Sequence, residues 1–479
     1  MPLPHIPILR RGVAYRSLDR IELVDHRGRG PVAAISQANA GLIRKDLARL
    51  GESRRALQAI PAARLLDICT AAGELFMNAD LPLDADTGAT QSPRQYIESL
   101  TATSGLPFTL VRRNMAKLHE VFTQMPTILW SLTRGLPSEL LDNGLGEHDG
   151  LPLCYFPAAE ALGVVMPSNS PGVNSIWMPA IALKMPVIIK PGREEPWTPW
   201  RIMQAFIAAG CPREAFSFYP ADHEGAAAIL KACGRSLLFG DTSTTAPYSH
   251  DPRVQIHGPG FSKVLVGEDQ IDHWPEWLDV LFASVADNSG RSCVNASTIV
   301  VPRHAPAIAD ALAKRLAAIG PRPLDDPDAV LAGFANPKFA DYIDDAITQG
   351  LRTPGAVDAT AHHRTGPRKI VVDGTTYVLP TLIHCDSFAH PLANREFLFP
   401  YASAVESPQA QMLQQIGPSL VVTAITGDGK FIDELVSCPW IDRLNIGPLP
   451  TSRLKWDQPH EGNLFEFLYR RRAFQSVPA

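Results

Sequence analysis

Apolar residues follow two different spacings along the chain, and each spacing predicts a type of element. Between residues 41 and 117 they recur every three or four positions, as in LIRKDLARL and RLLDICTAAGELF, which predicts a helix-rich region. Between residues 155 and 266 they form short runs that end in turn residues, as in LGVVMPSN, MPVIIKPG, SLLFGDTS and VQIHGPGFSKVLVG. Helix-length segments such as TPWRIMQAFIAAG separate these runs, so we expect βαβ units and a parallel sheet.

The second half of the chain predicts a further α/β domain. Helical spacing returns between residues 274 and 350, where the strand candidate ASTIVVP interrupts it. The apolar runs YVLPTLIHC and SLVVTAIT follow. The last apolar segment, LFEFLYRRRAF, alternates roughly between apolar and polar residues, so we expect a strand there.

Composition narrows the class of protein. The chain has 479 residues, of which 45% are hydrophobic, and this favours a globular protein of several domains over a disordered chain. Its 44 Lys and Arg against 49 Asp and Glu give a formal charge of −5, which argues against nucleic acid as the main partner. The longest apolar stretch, IWMPAIALKMPVII, is too short for a membrane span and contains Lys184 and two prolines.

The seven cysteines occur singly, with no Cys-x-x-Cys spacing. This pattern argues against a disulfide framework and against zinc, so we expect no metal site. The N-terminal residues lack the continuous apolar core of a signal peptide. We therefore expect a reducing, cytoplasmic location.

One cysteine lies in a segment that suits a nucleophile. In DNSGRSCVNAS, Cys293 follows a polar, glycine-containing turn and precedes a strand candidate. Backbone N–H groups of such a turn, together with Arg291, could stabilise a thiolate. Taken alone, Cys293 could equally be one more small apolar residue of a core.

Two strand ends carry further polar candidates. In VVMPSNSPG, Asn169 follows an apolar strand and could donate its side-chain N–H to a developing oxyanion, although it could also be an ordinary turn residue. In VIIKPGREEPWTP, Lys190 ends a second strand. Since ligands of parallel sheets bind at the carboxyl ends of strands, Lys190 suits a ribose or phosphate, or is simply solvated.

In this order and at this separation, the three segments resemble the aldehyde dehydrogenase superfamily. Asn169 stands in its P-x-N-x-P turn, Lys190 in its K-P turn, and Cys293 in the N-x-G-x-x-C pattern with Asn288 and Gly290. The resemblance covers most of the chain. It continues in PTLIHC (380–385), in REFLFP (395–400), where Glu396 and Pro400 match E-x-F-G-P, and in RLNIGP (443–448).

The resemblance implies an α/β fold with three parts. These are a Rossmann-type domain that binds NAD or NADP, an α/β catalytic domain, and a β-stranded oligomerisation extension. We assign residues 1–137 and 156–264 to the cofactor domain, 265–450 to the catalytic domain, and 138–155 and 451–479 to the extension. A homodimer or homotetramer is expected.

The resemblance also implies roles for single residues. Cys293 adds to a carbonyl carbon, and Asn169 with the backbone N–H of Cys293 holds the oxyanion. Lys190 and Glu396 hold the two riboses of the cofactor. In the helix after Asn169, Asn174 and Trp177 line the substrate tunnel. The remaining cofactor positions are Pro167, Ser168, Arg193, Thr242, Ser243, Gly258 and Leu398.

One departure from the family concerns the base that activates water. Hydrolytic members carry a glutamate in an E-L-G-G-K segment, whereas this chain has HGPGFSKVLV, and aligned on its glycines Gly258 takes the glutamate's place. The chain therefore resembles the CoA-acylating branch, the acyl-CoA reductases, with coenzyme A as co-substrate. A thiol, with a pKa of about 8.5, needs less help from a base than water does.

Other interpretations remain open on the sequence. His257 could serve as a substitute base, which would allow a hydrolytic aldehyde dehydrogenase, or it could make a structural hydrogen bond. A carrier-protein thioester would look the same as a CoA ester, and a non-catalytic homologue is a further alternative. For the cofactor, Arg193 three positions after Lys190 favours NADP, whereas the adjacent Glu194 keeps NAD open.

Overall fold

The computed structural model describes residues 3–84 and 87–475 and divides into two compact units. The first unit comprises residues 1–104, 111–258 and 455–479, and the second comprises residues 105–110 and 259–454. Within the described ranges, no helix combines the length and the apolar character that a membrane crossing requires.

The elements of the described ranges are numbered here in chain order. The strands are β1 (His5–Ile6), β2 (Ile8–Arg10), β3 (Val13–Tyr15), β4 (Arg20–Val24), β5 (Pro31–Ser36), β6 (Leu81–Asp84), β7 (Ala89–Gln91), β8 (Leu145–His148), β9 (Leu151–Pro157), β10 (Leu162–Val165), β11 (Val187–Lys190), β12 (Phe216–Phe218), β13 (Arg235–Phe239), β14 (Val254–His257), β15 (Ser262–Val266), β16 (Ala296–Val301), β17 (Ala356–Asp358), β18 (Lys369–Val372), β19 (Thr375–Val378), β20 (Thr381–Cys385), β21 (Tyr401–Glu406), β22 (Ser419–Ile425), β23 (Ile441–Ile446) and β24 (Tyr469–Arg472). The α-helices are α1 (Ala40–Leu47), α2 (Leu50–Gln58), α3 (Ala62–Asn78), α4 (Pro93–Ser104), α5 (Phe108–Thr123), α6 (Met125–Leu132), α7 (Leu140–Asn143), α8 (Pro179–Ala182), α9 (Trp197–Ala208), α10 (His223–Ala232), α11 (Thr242–Thr245), α12 (Leu278–Ala286), α13 (Ala305–Ala317), α14 (Pro337–Gly350), α15 (Gln409–Ile416), α16 (Gly429–Val436) and α17 (Leu464–Leu468). Short 3₁₀ helices span Pro171–Ile176, Arg213–Ala215, Ala246–Tyr248, Ile271–Trp277, Asp287–Gly290 and Ala359–His362.

The first unit is built on a seven-stranded sheet of order β14-β13-β10-β11-β12-β2-β3. Its first five strands in that order are parallel, and β2 and β3 join antiparallel. The chain lays β11 and β12 to one side of β10 and then returns to lay β13 and β14 on the other side. In such a sheet, ligands bind at the carboxyl ends of the strands, at the point where the order reverses. The α/β class and the parallel sheet are thus confirmed.

The second unit contains a seven-stranded sheet of order β17-β20-β21-β16-β15-β22-β23, parallel except for the edge strand β17. Helices cover both faces. Val264 and Ile299 pack with α12 and α13, whereas their neighbours Leu265 and Val300 pack with α15 and α16. Because successive side chains of a strand point to opposite faces, double coverage explains why these strands are continuously apolar.

The segment VQIHGPGFSKVLVG, expected to be a single apolar run, forms two strands in different sheets. β14 ends at His257 and β15 begins at Ser262, and the two units separate between Gly258 and Pro259. Phe261 has a φ of 43°, a backbone conformation that ends a strand. The boundary predicted at residue 264 lies inside β15, and the roles assigned to the ranges stay predictions.

Two expected elements are corrected. The C-terminal segment is a helix followed by a strand, since the Asn463 side chain accepts from the Glu466 N–H and starts α17, after which β24 pairs antiparallel with β9. The helix expected after Asn169 is a 3₁₀ helix followed by the short α8, each opening on a proline, Pro171 and Pro179. The strands β1 to β5, which precede the helix-rich region, were not predicted.

Candidate active site

The turn before Cys293 has an unusual backbone. Asn288, Ser289 and Gly290 have consecutive positive φ values of 51°, 57° and 63°. Such strain persists only where the surroundings enforce it and is common at functional sites. A Cβ built on Gly290 would lie 2.3 Å from the carbonyl carbon of Phe399, so this position of the N-x-G-x-x-C pattern requires glycine.

The Cys293 loop is fastened to the sheet of the second unit. Its backbone carbonyl accepts a hydrogen bond from Ser262 Oγ at 2.8 Å. Its side chain packs against a small apolar cluster of Val294, Leu420 and Val421. These contacts hold the residue at the amino ends of β15 and β22 and fix where the thiol can act.

Cys293 differs in burial from most other cysteines. It is half-buried, whereas Cys69, Cys233 and Cys385 are fully buried, and burial raises the pKa of each of these three thiols to about 12. A thiol that cannot ionise is a poor nucleophile. The half-buried thiol of Cys293 is therefore the better candidate.

The cation expected beside the thiol makes contacts of its own. Arg291 is buried, donates to the carbonyl of Gly333 and lies over the ring of Phe334, with its guanidinium carbon 5.7 Å from the ring centroid. The support of the thiolate by Arg291 stays a prediction. Arg443 on β23 lies within electrostatic range of Cys293, although burial lowers the pKa of that guanidinium.

Asn169 lies where the sequence predicts, in the turn that follows β10. Ser170 begins the next 3₁₀ helix by accepting from the Gly172 N–H. A Cβ built on Gly192 would lie 2.3 Å from the Pro167 carbonyl oxygen and 2.5 Å from Ser168 Oγ. The turn after β11 is thus in close contact with the turn after β10, and the structure brings these two predicted segments together.

Lys190 ends β11 at the same edge of the sheet and is half-buried. Burial lowers the pKa of Lys190, and the nearby carboxylates of Glu194 and Asp222 partly offset this effect. Arg193 is exposed. Glu195, two positions after Arg193, is 2% exposed and accepts a hydrogen bond from the Thr198 N–H at the start of α9.

The predicted cofactor positions Thr242 and Ser243 are the first two residues of α11. The Asp241 carboxylate caps this helix, accepting from the Thr244 N–H and the Ser243 hydroxyl at 2.8 Å each. Backbone hydrogen bonding lowers the pKa of Asp241, so a negative charge that would repel a cofactor phosphate stands at these positions. The cofactor contacts of Thr242 and Ser243 stay predictions that this charge opposes.

Glu396 is tied to the loop that precedes β15. Its carboxylate accepts from the Phe261 N–H at 2.6 Å and from the Gly260 backbone. Burial raises the pKa of Glu396 and lowers that of the neighbouring Lys263, and the attraction between their opposite charges reduces each shift only in part. Leu398 is exposed, and the cofactor contacts of Glu396 and Leu398 stay predictions.

His257 is the last residue of β14 and is 6% exposed. Its Nδ1 is hydrogen-bonded to the carboxylate of Glu461, and its ring stacks on Phe239 with centroids 4.5 Å apart. Nε2 is buried and has no hydrogen-bond partner among the described residues. A Cβ built on Gly258 would meet only Ile256 Cγ2, at 3.9 Å, so space is open beside this residue.

Asn174 and Trp177, the residues predicted to line the tunnel, contact each other. The indole N–H of Trp177 donates to Asn174 Oδ1 at 2.9 Å, and Asn174 Nδ2 donates to the Pro171 carbonyl at 2.9 Å. Both residues are 0% exposed. A structural role accounts for these contacts, and the tunnel role of both residues stays a prediction.

Three residues that contact or lie near the predicted site residues are not indicated by the sequence motifs. Glu461, Lys263 and Arg443 reach the site residues through contacts between distant parts of the chain. The sequence gives a signal only for Arg443, which is the first residue of the RLNIGP segment that matches the family.

The two parallel sheets and the motif segments identify the family. The profile described as "Aldehyde dehydrogenase family" matches residues 157–396, half of the chain and the part that holds Asn169, Lys190, Cys293 and Glu396. The chain therefore belongs to the aldehyde dehydrogenase family, oxidoreductases that act on aldehydes. The expected superfamily is confirmed.

Named relatives are similar over part of the chain. N-succinylglutamate 5-semialdehyde dehydrogenase from two strains of Vibrio cholerae is 24% identical over 231 residues, or 45% of this chain and 47% of the relative. The match thus spans about half the length of these curated relatives.

Solved structures match over nearly all of the chain. A mutant of Thermus thermophilus 1-pyrroline-5-carboxylate dehydrogenase has a TM-score of 0.79 at 14% identity, covering 98% of this chain and 92% of that one. Indole-3-acetaldehyde dehydrogenase in complex with NAD⁺ has a TM-score of 0.74 at 18% identity, covering 98% and 96%. At these identities the likeness shows the fold, which confirms the expected fold class.

Proposed function

We propose that the chain is an NAD(P)-dependent aldehyde dehydrogenase of the CoA-acylating type, which interconverts an aldehyde and an acyl thioester through Cys293. In the oxidative direction, Cys293 Sγ bonds to the carbonyl carbon, and loss of hydride leaves an acyl group on the sulfur. The sulfur of coenzyme A then bonds to the acyl carbon while the bond to Cys293 Sγ breaks. When bound, NAD(P) supplies the acceptor or donor of the hydride.

One observation supports the thiol of coenzyme A, instead of water, as the acceptor of the acyl group. Gly258 takes the place of the family's general base, and the chain has no carboxylate between Asp251 and Glu268. The space open beside Gly258 supports this interpretation, because a ligand can approach where a glutamate side chain would otherwise lie. Since a thiol ionises far more readily than water, loss of a base costs thiolysis less than hydrolysis.

Several residues of the first unit suit a dinucleotide cofactor. The half-buried ammonium of Lys190 and the turn of Pro167 and Ser168 lie at the reversal point of the parallel sheet, where a ribose and its phosphates bind in such sheets. Exposed Arg193 suits the 2′-phosphate of NADP, whereas Glu194 near Lys190 suits the free ribose hydroxyl of NAD. We propose NADP as the preferred cofactor.

We further propose that the first unit supplies the cofactor site and the second unit the nucleophile. The three-stranded sheet β24-β9-β8 would pair copies of the chain in a homodimer or homotetramer. Its strands fall largely within the ranges 138–155 and 451–479 assigned to this purpose.

A second candidate, hydrolysis of the acyl-enzyme to an acid, is favoured by His257. If Gly260 is matched to the second glycine of E-L-G-G-K, then His257 instead of Gly258 stands at the glutamate's position. The buried Nε2 of His257, for which the described part of the chain offers no hydrogen-bond partner, supports a role as a proton acceptor. This candidate requires no coenzyme A.

A panel of acyl-CoAs tests the proposal. NADPH and NADH oxidation is followed with short, medium and aromatic acyl-CoAs, and aldehyde oxidation is followed with and without free coenzyme A. Acyl-CoA-driven oxidation of the cofactor supports the proposal and identifies the acyl class. Rapid aldehyde oxidation that ignores coenzyme A would contradict it and favour His257 as the base.

A further inference from the structure

A contact between the C-terminal segment and β14 pairs an imidazole with a carboxylate. His257 Nδ1 is hydrogen-bonded to Glu461 Oε2, and their side chains are 3% and 20% exposed. The imidazole also stacks on Phe239, its register partner on β13, at an interplanar angle of 12°. The ring of His257 is therefore fixed by packing on one face and by Glu461 at one nitrogen.

The segment that carries Glu461 is itself held on β14. The side-chain Nε2 of Gln255 donates to the Glu461 backbone carbonyl. Gln255 and His257 are two positions apart on β14, so their side chains lie on the same side of the sheet. Gly462 follows with a φ of 68°, which turns the chain away toward α17. Two separate hydrogen bonds thus set the position of this carboxylate.

The pairing determines which nitrogen of the imidazole carries the proton. A carboxylate accepts hydrogen bonds and does not donate them when ionised, so the proton of neutral His257 belongs on Nδ1. The lone pair is then on Nε2, the buried atom that has no partner among the described residues. A buried polar atom without a partner is rare in folded proteins and calls for an explanation, such as a proton donor that binds there during the reaction.

Among the described residues, Glu461 supplies the carboxylate that is hydrogen-bonded to the ring. On the β13 side the stacking residue is Phe239, and the carboxylate of Asp241 beyond it is engaged by α11. On β14 the facing residue is the neutral Gln255. The C-terminal segment contributes Glu461 and its neighbour His460.

We propose that Glu461 is a positioning residue for His257, which it holds as the Nδ1–H tautomer so that Nε2 accepts the proton of the nucleophile that releases the acyl group from Cys293. The nucleophile, a thiol or water, gives its proton to Nε2 and bonds to the acyl carbon, while Cys293 leaves as a thiolate. The inference rests on the proposed acyl-enzyme and holds for either acceptor.

Nitrogen-15 NMR of histidine-labelled protein tests the tautomer without a substrate. His257→Gln identifies the His257 signals among those of the 14 histidines. The wild type is expected to show a protonated Nδ1 and a bare Nε2. Glu461→Ala is expected to shift the ring toward the Nε2–H form, and Glu466→Ala, a matched change at an exposed carboxylate of the same segment, is expected to leave it unchanged. Identical spectra for wild type and Glu461→Ala would overturn the proposal.

Burst kinetics test the chemical role. In Glu461→Ala the first turnover of NAD(P)H is expected to keep its amplitude, whereas steady-state release of the acyl group falls about tenfold or more. Release in the double variant with His257→Gln is expected to be no slower than in His257→Gln alone. Equal losses of burst and steady-state rate would indicate a merely structural role and would contradict the proposal.

A second variant covers the case in which Glu461→Ala unfolds. Glu461→Gln keeps the shape of the side chain but removes its charge, and its amide can donate as well as accept, so the Nδ1–H tautomer of His257 is no longer enforced and release is expected to slow while the burst amplitude is kept. Release at the wild-type rate in Glu461→Gln would count against the proposal. Release is measured with water and with coenzyme A, so an enzyme that ignores coenzyme A overturns the CoA assignment and leaves the Glu461 test intact.

Discussion

Gly260 and Cys293 meet backbone to backbone. A Cβ built on Gly260 would lie 2.1 Å from the carbonyl oxygen of Cys293 and 2.9 Å from its carbonyl carbon. The carbonyl of Gly260 in turn accepts from the Leu420 N–H at 2.7 Å. The position of the nucleophile therefore depends on a residue that has no side chain.

Gly260→Ala is expected to displace the Cys293 loop. Backbone atoms cannot give way as a flexible side chain can, so the added methyl group should destabilise the second unit by about 1–3 kcal/mol or more. We expect a lower melting temperature and a slower first turnover. Gly258→Ala is the matched control for stability, because its Cβ has open space. Equal melting temperatures for both variants would contradict the close approach described here.

Cys293→Ala is expected to abolish oxidation of aldehydes and reduction of acyl-CoAs, with a loss of about 10⁴-fold or more, because no other group forms the thioester. Cys438→Ser, a change at another half-buried cysteine, should retain activity. The measurement is steady-state turnover with mass spectrometry of the trapped acyl-enzyme. Full activity of Cys293→Ala in the cell would revive the interpretation as a non-catalytic homologue.

The site shows what a sequence can and cannot predict. Asn169, Lys190 and Cys293 stand in local motifs next to strands, and local patterns predicted where these strands end. Arg291, by contrast, stands only two positions before the nucleophile, yet its side chain donates to the carbonyl of Gly333. Neighbourhood in sequence does not determine the direction in which a side chain points.

Glu461 could not have been predicted from any window of the sequence. Its partner His257 is 204 positions away, and the contact arises only when the C-terminal segment packs on β14. The same holds at the level of the fold. Apolar runs predicted β10, β11 and β16, whereas the split between β14 and β15 depends on a backbone turn at Phe261 that hydrophobicity does not report.

Arg193→Glu is expected to change the cofactor preference. A carboxylate at this exposed position repels a 2′-phosphate, so the Kd for NADPH should rise about tenfold, or ~1.4 kcal/mol, relative to that for NADH. Fluorescence titration of both cofactors measures the ratio. Arg64→Glu, at an exposed position of α3, serves as the control. An unchanged ratio would exclude Arg193 from the ribose site.

Glu195 is expected to make stability depend on pH. Burial raises its pKa from 4.5 to about 8, so between these values the folded chain binds more protons than the unfolded chain. Its contribution is therefore present at low pH and is lost as the pH rises toward 8. We expect Glu195→Gln to melt near the wild-type temperature at about pH 5 and above it at about pH 8. A difference that is the same at both pH values would contradict the shifted pKa.

The fate of the acyl group distinguishes a CoA-acylating enzyme from a hydrolytic one. Aldehyde and NADP⁺ are supplied with increasing coenzyme A, and mass spectrometry measures the acyl-CoA and the free acid formed in each turnover. We expect turnover to rise with coenzyme A and acyl-CoA to be the main product. Turnover independent of coenzyme A, with free acid as the product, would contradict this expectation.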